Sequence, residues 1–319
     1  MTTPILKKLY YTLARIRRFE EKIVEIYPFG KIRCPVHLCI GQEAIAAGVC
    51  AHLRRTDHMV SNHRNHGHLI AKGAALTPMF AELFGRTGGC SGGKGGSMHM
   101  IDSDHSSLGT SSIVAAGLPI ALGTALASRI RRQKRVSVVF FGDGAVDEGT
   151  FYESLNFARL HRLAVIFVCE NNFYSLNSPQ KLRHANMAIH KITGFFSMPG
   201  FCINGNDVIE VWKSAGPLIE RARRGQGPAL IEAKTYRYYA HDGITDDTDK
   251  GFRDRRELSA WMKKCPVASF KDYLLKKAGI SQEIISGIDR DIDAEIQEAL
   301  DGALSSPYPG MDDLNVGVY

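Results

Sequence analysis

The chain has 319 residues, of which 44% are hydrophobic and 23% charged, the ordinary composition of a globular protein with a large core. Its formal charge of +7 comes from dispersed residues, with no basic run interleaved with aromatics, which argues against a nucleic-acid partner. The longest apolar stretch, 113–128, is interrupted by Pro119 and glycines and is shorter than the roughly 20 residues of a membrane span. Seven cysteines without a Cys-x-x-Cys pair, and an N-terminus without a secretory signal, predict reduced thiols in a cytoplasmic protein.

The spacing of apolar residues predicts helices first and alternating strands and helices later. Three helices are expected over 4–27, 41–53 and 76–85, followed by a glycine-rich loop at 85–100 of the kind that usually serves function. Beyond it the predicted order is helix 113–132, strand 136–141, helix 148–161, strand 164–169, strand 201–203, helix 207–224 and strand 229–235. Helices that alternate with solidly apolar strands predict an α/β fold, in which a mostly parallel sheet is covered by helices on both faces.

We predict a single domain over 1–319. Its expected parts are a helical N-terminal part (1–85), a core with the ligand site (86–240), an active-site loop (241–257) and C-terminal helices (258–319).

Polar residues follow two neighbouring predicted strands. Gly142, Asp143 and Gly144 end strand 136–141, and Asn171 and Asn172 follow strand 164–169. Ligands of parallel sheets bind at the carboxyl ends of the strands, so the Asp and Asn oxygens are expected side by side, as Mg²⁺ prefers when it also holds a diphosphate. Glycine N–H groups would face the phosphate oxygens. Capping of the next helix is the structural alternative for Asp143.

The pattern Gly-Asp-Gly followed after about 26 residues by Asn-Asn resembles the thiamine diphosphate fingerprint. Further stretches agree with it: GQEA at 41–44, HRNHGH at 63–68, GGKGGSMHM at 92–100, the segment 111–127 and TYRYYAH at 235–241. Together they resemble the alpha subunit of the decarboxylase component of 2-oxo-acid dehydrogenases, nearest to the pyruvate and acetoin dehydrogenase branch. The resemblance covers about residues 5–300 and implies the thiamine diphosphate-binding fold.

The resemblance also implies roles for individual residues. The magnesium ligands would be Asp143, Asn172 and the carbonyl of Tyr174. The diphosphate would contact the backbone of Gly142, Gly144 and Ala145 and the side chains of Arg64 and His63, and the aminopyrimidine would rest on Ser112 and Val114. The family usually has glycine where Ser112 stands.

Three histidines are implied to act in catalysis by the same resemblance. His37 matches a histidine that faces the 2-oxo acid, His241 lies on the loop that closes over the cofactor, and His66 belongs to the HRNHGH run. A histidine with a pKa near neutrality can donate a hydrogen bond or move a proton. For His37 an ordinary structural role is an equal alternative.

The loop after residue 235 departs from the family pattern. Ala240 replaces a glycine, and Asp242 follows His241 where relatives carry a serine that is phosphorylated in mitochondrial members. We therefore predict no serine-phosphorylation switch here, and we expect the charged run 242–257 to be a solvated mobile loop.

The length implies a partner. The family's glutamate that activates the cofactor lies on a second domain, for which this chain has no candidate, so the resemblance implies a beta subunit in an α2β2 heterotetramer and a lipoyl acyltransferase that accepts the two-carbon unit. Two rival hypotheses remain: a non-oxidative transferase that passes the unit to an aldehyde, ketone or sugar, and a non-catalytic subunit that kept only the fold.

Overall fold

Six parallel strands form the central sheet in the computed structural model, which describes residues 1–32 and 34–316. The strands are β1 (His58–Asn62), β2 (Ser107–Ser111), β3 (Ser137–Gly142), β4 (Val165–Asn171), β7 (Gly200–Asn204) and β8 (Ala229–Lys234). Their order across the sheet is β2-β1-β3-β4-β8-β7. Tyr174–Ser175 (β5) and Ser178–Pro179 (β6) form a separate small antiparallel pair. The expected α/β architecture is confirmed.

Ten α-helices surround the sheet in the described part of the chain: α1 (Thr3–Ile26), α2 (Glu43–Cys50), α3 (His66–Lys72), α4 (Leu76–Leu83), α5 (Gly117–Ile130), α6 (Gly149–Leu160), α7 (Val208–Arg223), α8 (Arg255–Met262), α9 (Pro266–Lys276) and α10 (Gln282–Ser305). The Asp207 side chain accepts hydrogen bonds from the first turn of α7, and Ser281 caps α10 in the same way. No helix among the described residues is both long and apolar enough to cross a membrane.

Alternate side chains of the central strands enter two different cores. Val138 and Phe140 of β3 pack with the cluster that contains α1, α2 and α4, whereas Val139 and Phe141 pack with α5 and α6 on the other face. Because both faces are buried, β3, β4 and β8 are nearly continuous apolar runs. Ligand-binding loops are therefore confined to the ends of the strands.

Two strands lie where the sequence predicted none. β1, HMVSN, falls inside the segment expected to be helical, and β2, SLGTS, follows the glycine-rich loop. Both are five residues long and rich in small polar residues, so they lack the apolar run that identifies a strand. β1 lies between the edge strand β2 and β3, and its carboxyl end supplies the segment that begins at Asn62.

The segment 242–257 also differs from the expected solvated loop. Asp247 and Arg253 are buried and form an ion pair of 2.5 Å between Oδ1 and Nε. Arg253 Nη1 donates to the carbonyl of Arg237, and α8 begins already at Arg255. Part of the charged run is thus packed against the body of the protein, because its charges neutralise one another.

Candidate cofactor site

A cavity opens at the carboxyl ends of β1, β3 and β4, beside the start of α5. Ten of the predicted site residues line it: His63, Arg64, Val114, Gly142, Asp143, Gly144, Ala145, Asn172, Tyr174 and His241. They come from five separate stretches of the chain and meet because parallel strands end at the same edge of the sheet. His37, His66 and Ser112 are not part of the cavity wall.

Asp143 is fully buried at the end of β3 and is well suited to hold a cation. One carboxylate oxygen, Oδ2, forms an ion pair with Arg183. The other, Oδ1, is buried without a hydrogen-bond partner among the described residues. Burial raises the pKa of Asp143 above its ordinary value, and the charge of Arg183 partly offsets this. Helix α6 is preceded by Glu148, not by Asp143, so the helix-cap alternative does not apply.

Asn172 is held in position from both sides. Its Nδ2 donates to Gln42 Oε1 at 3.0 Å, and its Oδ1 accepts from the backbone N–H of Tyr174 at 3.2 Å. An amide oxygen has two lone pairs, so Oδ1 keeps one for a further partner. The sequence interpretation missed Gln42, which directly precedes α2 and lines the cavity, although the GQEA motif that contains it was singled out.

The turn at Gly144 leaves no room for a side chain. A Cβ atom at this position would lie 2.4 Å from Ser175 Oγ and 2.9 Å from Ser175 Cβ. Glycine therefore lets the chain after β3 pass close to β5 with its backbone facing the cavity. Backbone N–H groups exposed in this way are typical phosphate contacts.

Arg64 contributes a buried positive charge. The residue is 4% exposed, and its guanidinium donates to the carbonyls of Leu38, at 2.6 Å, and His241, at 3.1 Å. No carboxylate among the described residues forms an ion pair with it, and burial lowers its pKa. A buried guanidinium without an acidic partner is costly in the free protein, so an anionic ligand in this cavity would relieve that cost.

Three histidine rings pack together at the cavity: His63 and His241 line it, and His37 contacts both of them. The ring centroids of His37 and His63 are 4.7 Å apart, and His241 lies 5.1 Å and 5.2 Å from them. Burial, followed by the charge of Arg64, lowers the pKa of His37 to about 3, that of His63 to about 2 and that of His241 to about 3. All three rings are therefore neutral near pH 7. His37 lies behind the other two, and its Nδ1 has no partner among the described residues.

His66 and Ser112 occupy different surroundings. His66 is fully buried, with Nδ1 at 3.0 Å from Glu20 Oε1 and Nε2 at 3.0 Å from Ser97 Oγ. Both ring nitrogens are thus engaged away from the cavity, as in a residue that positions its neighbours. Ser112 is exposed between the lining residues Ser111 and Ile113, and its hydroxyl lies 3.4 Å from His99 Nε2.

A second buried network lies behind the cavity and was not anticipated. Glu170 of β4 lines the cavity and contacts His68 Nε2 at 3.0 Å and Asn62 Nδ2 at 3.2 Å. Ser61 contacts the other nitrogen of His68 at 2.7 Å. The HRNHGH run therefore has two different roles, because His63 and Arg64 face the cavity while His66 and His68 anchor α3.

The residues present fit a metal diphosphate. The free Oδ1 of Asp143 offers a cation ligand, Arg64 offers an unpaired positive charge, and Gly144 offers close backbone approach. One cavity thus offers a ligand for a cation and two contacts for an anion, as a magnesium diphosphate requires.

Comparison with known proteins agrees with this geometry. Residues 11–312 match the model of the dehydrogenase E1 component family. The chain therefore belongs to that family, and this membership implies thiamine diphosphate as the cofactor.

Its relatives belong to the two branches that the motifs indicated. The chain is 42% identical to the alpha subunit of acetoin:2,6-dichlorophenolindophenol oxidoreductase of Bacillus subtilis, over 98% of this chain and 92% of the relative. It is 37% identical to the Cupriavidus necator protein of the same name, over 98% and 93%. It is 36% identical to the chloroplastic pyruvate dehydrogenase E1 alpha-3 subunit of Arabidopsis thaliana, over 98% and 74%. Similarity to alpha subunits over the whole chain implies a second, beta subunit.

Proposed function

We propose that this chain is the alpha subunit of a thiamine diphosphate- and magnesium-dependent enzyme that cleaves the bond next to the carbonyl of pyruvate or acetoin. One observation carries the proposal. The same cavity is lined by Asp143, which has a buried carboxylate oxygen without a hydrogen-bond partner among the described residues, and by Arg64, whose guanidinium has no acidic partner among them. The names of the relatives support the choice of the two substrates.

Each cofactor contact would come from a residue of the cavity. Asp143, Asn172 and the Tyr174 carbonyl would hold Mg²⁺, and Arg64, His63 and the backbone of Gly142–Ala145 would hold the diphosphate. When bound, thiamine diphosphate supplies a carbon nucleophile for the substrate carbonyl and an electron sink for the bond cleavage. Val114, an exposed residue that lines the cavity, would support the aminopyrimidine of the cofactor.

The histidines would serve the substrate. A neutral imidazole carries one N–H donor and one acceptor, so His241 and His63 can hold a substrate carboxylate or hydroxyl without a permanent charge. His37 contacts both rings and would orient them. His66, bonded to Glu20 and Ser97, would act on the site only through the position of α3.

The remaining components would be supplied by other chains. We propose a beta subunit that completes the site in an α2β2 heterotetramer, and a lipoyl acyltransferase that accepts the two-carbon unit. Exposed apolar side chains at the mouth of the cavity, Ile113 and Val114, support a protein neighbour there. We also propose a cytoplasmic location, which the seven free cysteines support.

The test is an activity assay of this chain co-purified with its beta partner, with thiamine diphosphate and Mg²⁺. Pyruvate and acetoin are each offered with a lipoyl domain, with an artificial electron acceptor, or with a set of aldehydes and keto-sugars. Reduction of the lipoyl domain, lost in Asp143→Asn, is expected. Carbon–carbon bond formation without oxidation would instead identify a non-oxidative transferase, and cofactor binding without any turnover would identify a non-catalytic subunit.

A further inference from the structure

Three side chains with metal-binding atoms meet on the far side of the sheet from the N-terminal helices. Cys202 lies on the edge strand β7 and is the register partner of Glu232 on β8. His190 lies in the short helical turn Ile189–Gly194, which covers these two strands. One ligand atom from each residue lies within 4.8 Å of the other two. None of the three lines the cofactor cavity.

Glu232 is an unusual residue for this position. Its side chain is fully buried, yet no lysine or arginine among the described residues lies within ion-pair distance of it. Oε1 accepts from Asn171 Nδ2 at 2.8 Å, and Oε2 lies 2.9 Å from the backbone nitrogen and 2.7 Å from Nδ1 of His190. Buried carboxylates are usually paired with a positive charge or a metal ion, and within residues 1–32 and 34–316 the imidazole of His190 is the only ionisable side chain hydrogen-bonded to Glu232.

We propose that His190, Cys202 and Glu232 form a binding site for a borderline-soft divalent metal such as Zn²⁺. The residue types are those of zinc sites, with a thiolate, an imidazole nitrogen and a carboxylate oxygen. On binding, the thiol proton of Cys202 leaves to solvent, and His190 coordinates as a neutral imidazole through Nδ1, with its ring proton on Nε2. The resulting centre has no net charge, since two anionic ligands balance the dication.

The geometry requires little movement. Usual bond lengths place the ligand atoms of a tetrahedral zinc roughly 3.3–3.6 Å apart, so His190 Nδ1 and Glu232 Oε2, now 2.7 Å apart, must separate slightly, while Cys202 Sγ already lies within 4.8 Å of the other two ligand atoms. Cys202 is exposed on the edge strand and can turn its side chain, while Glu232 is held by its other hydrogen bonds. The outward side of the cluster is open to solvent, so a water or a fourth ligand can complete the coordination.

Burial and the neighbouring carboxylate support a protonated thiol in the metal-free protein. Desolvation, followed by the charge of Glu232, raises the pKa of Cys202. Because metal binding releases protons, affinity should increase with pH.

The experiment is a Co²⁺ titration of the full chain with its beta partner, in the presence of saturating thiamine diphosphate and Mg²⁺. Cobalt bound to a thiolate gives a ligand-to-metal charge-transfer absorption that a site of only nitrogen and oxygen ligands cannot give. His37, His63 and His241, which offer only nitrogen ligands, therefore do not contribute to it. We expect the band to saturate at one metal per alpha chain and to disappear when Zn²⁺ is added.

Three variants test the ligand set, and Cys90→Ser is the matched control because this partly buried cysteine lies outside the cluster. Cys202→Ser should abolish the band, and Glu232→Gln and His190→Gln should each weaken metal affinity by at least about tenfold. The Cys90→Ser variant should retain the charge-transfer band. Absence of the band in the wild type, its persistence in Cys202→Ser, or unchanged affinity in Glu232→Gln would overturn the proposal. None of these readouts depends on the proposed activity.

Discussion

Arg183 forms an ion pair with Asp143, a residue of the cavity wall whose second carboxylate oxygen is buried without a hydrogen-bond partner among the described residues. The same guanidinium also pairs with Asp147 at 2.5 Å. A cation that binds Asp143 must therefore compete with an arginine already in place. In the ligand-free protein the arginine stabilises a carboxylate that would otherwise be buried alone.

Arg183 is thus expected both to stabilise the ligand-free protein and to compete with the cation, and replacing it should separate these two effects. Arg183→Gln is expected to lower the free energy of unfolding of the ligand-free protein by about 1–3 kcal/mol, because it leaves a buried carboxylate that can only be neutralised by a proton. The same variant should bind Mg²⁺ about three- to tenfold more tightly in the presence of thiamine diphosphate. Denaturant unfolding and magnesium titration measure the two quantities.

The matched control is Arg255→Gln, which breaks an exposed ion pair with Asp249. Exposed pairs contribute little, so neither stability nor magnesium affinity should change. Weaker magnesium binding in Arg183→Gln would mean that the arginine assists the cation site instead of competing with it.

The histidine trio predicts a specific loss of stability in acid. In the folded chain the pKa of His63 is lowered to about 2 and that of His37 and His241 to about 3, whereas unfolded histidine titrates near 6.5. The unfolded chain therefore binds more protons below pH 6.5, so the stability that is present above that value is lost as the pH falls towards about 3.

His63→Gln should reduce this dependence by about one proton, or roughly 1.4 kcal/mol per pH unit between about pH 4 and 6. Urea unfolding of the ligand-free protein across that interval measures the slope. Ser112→Ala, which changes an exposed residue without a titrating group, should leave the slope unchanged. An unaltered slope in His63→Gln would show that this ring is protonated in the folded state.

A third prediction concerns the close contact at Gly144. Gly144→Ala places a methyl group where Ser175 stands, 2.4 Å from Oγ, so the turn or β5 must move. Thiamine diphosphate affinity should fall by at least about tenfold, since the backbone contacts to a phosphate depend on position. Adding Ser175→Gly to the same chain removes both clashing atoms and should restore most of the affinity, as calorimetric titration would show.

Gly149→Ala is the control, because a Cβ there meets no atom within 4 Å. It should bind the cofactor like the wild type. If Gly144→Ala binds normally, or if Ser175→Gly rescues nothing, the close approach of the two segments is not what shapes the site.

Much of the sheet and of the cavity followed from local sequence signals. β3, β4 and β8 are apolar runs ending in polar residues, and this pattern located Asp143 and Asn172 at one edge of the sheet. β1 and β2 carry no such signal, because their stability comes from pairing with neighbours in the sheet. Sequence alone therefore could not show how Arg64 reaches the same edge.

The features of the site that the sequence did not predict depend on contacts between residues far apart in the chain. His66 belongs to a motif that faces the cavity, yet its partner Glu20 lies 46 residues earlier on α1. The glycine-rich loop does not line the cavity. Its backbone N–H groups at 91, 93, 95 and 96 instead donate to the buried carboxylate of Glu82 on α4. Such pairings depend on how helices pack, which local spacing does not encode.

The most direct test of the account is a titration of thiamine diphosphate into the complex of this chain with its beta partner, with and without Mg²⁺. Wild type, Asp143→Asn and Asp147→Asn are compared, since Asp147 contacts Arg183 but does not line the cavity. We predict one magnesium-dependent site per alpha chain, affinity at least about 100-fold weaker in Asp143→Asn because a charged ligand is lost, and little change in Asp147→Asn. Binding that is independent of magnesium, or equal in Asp143→Asn and the wild type, would contradict the assignment of this cavity.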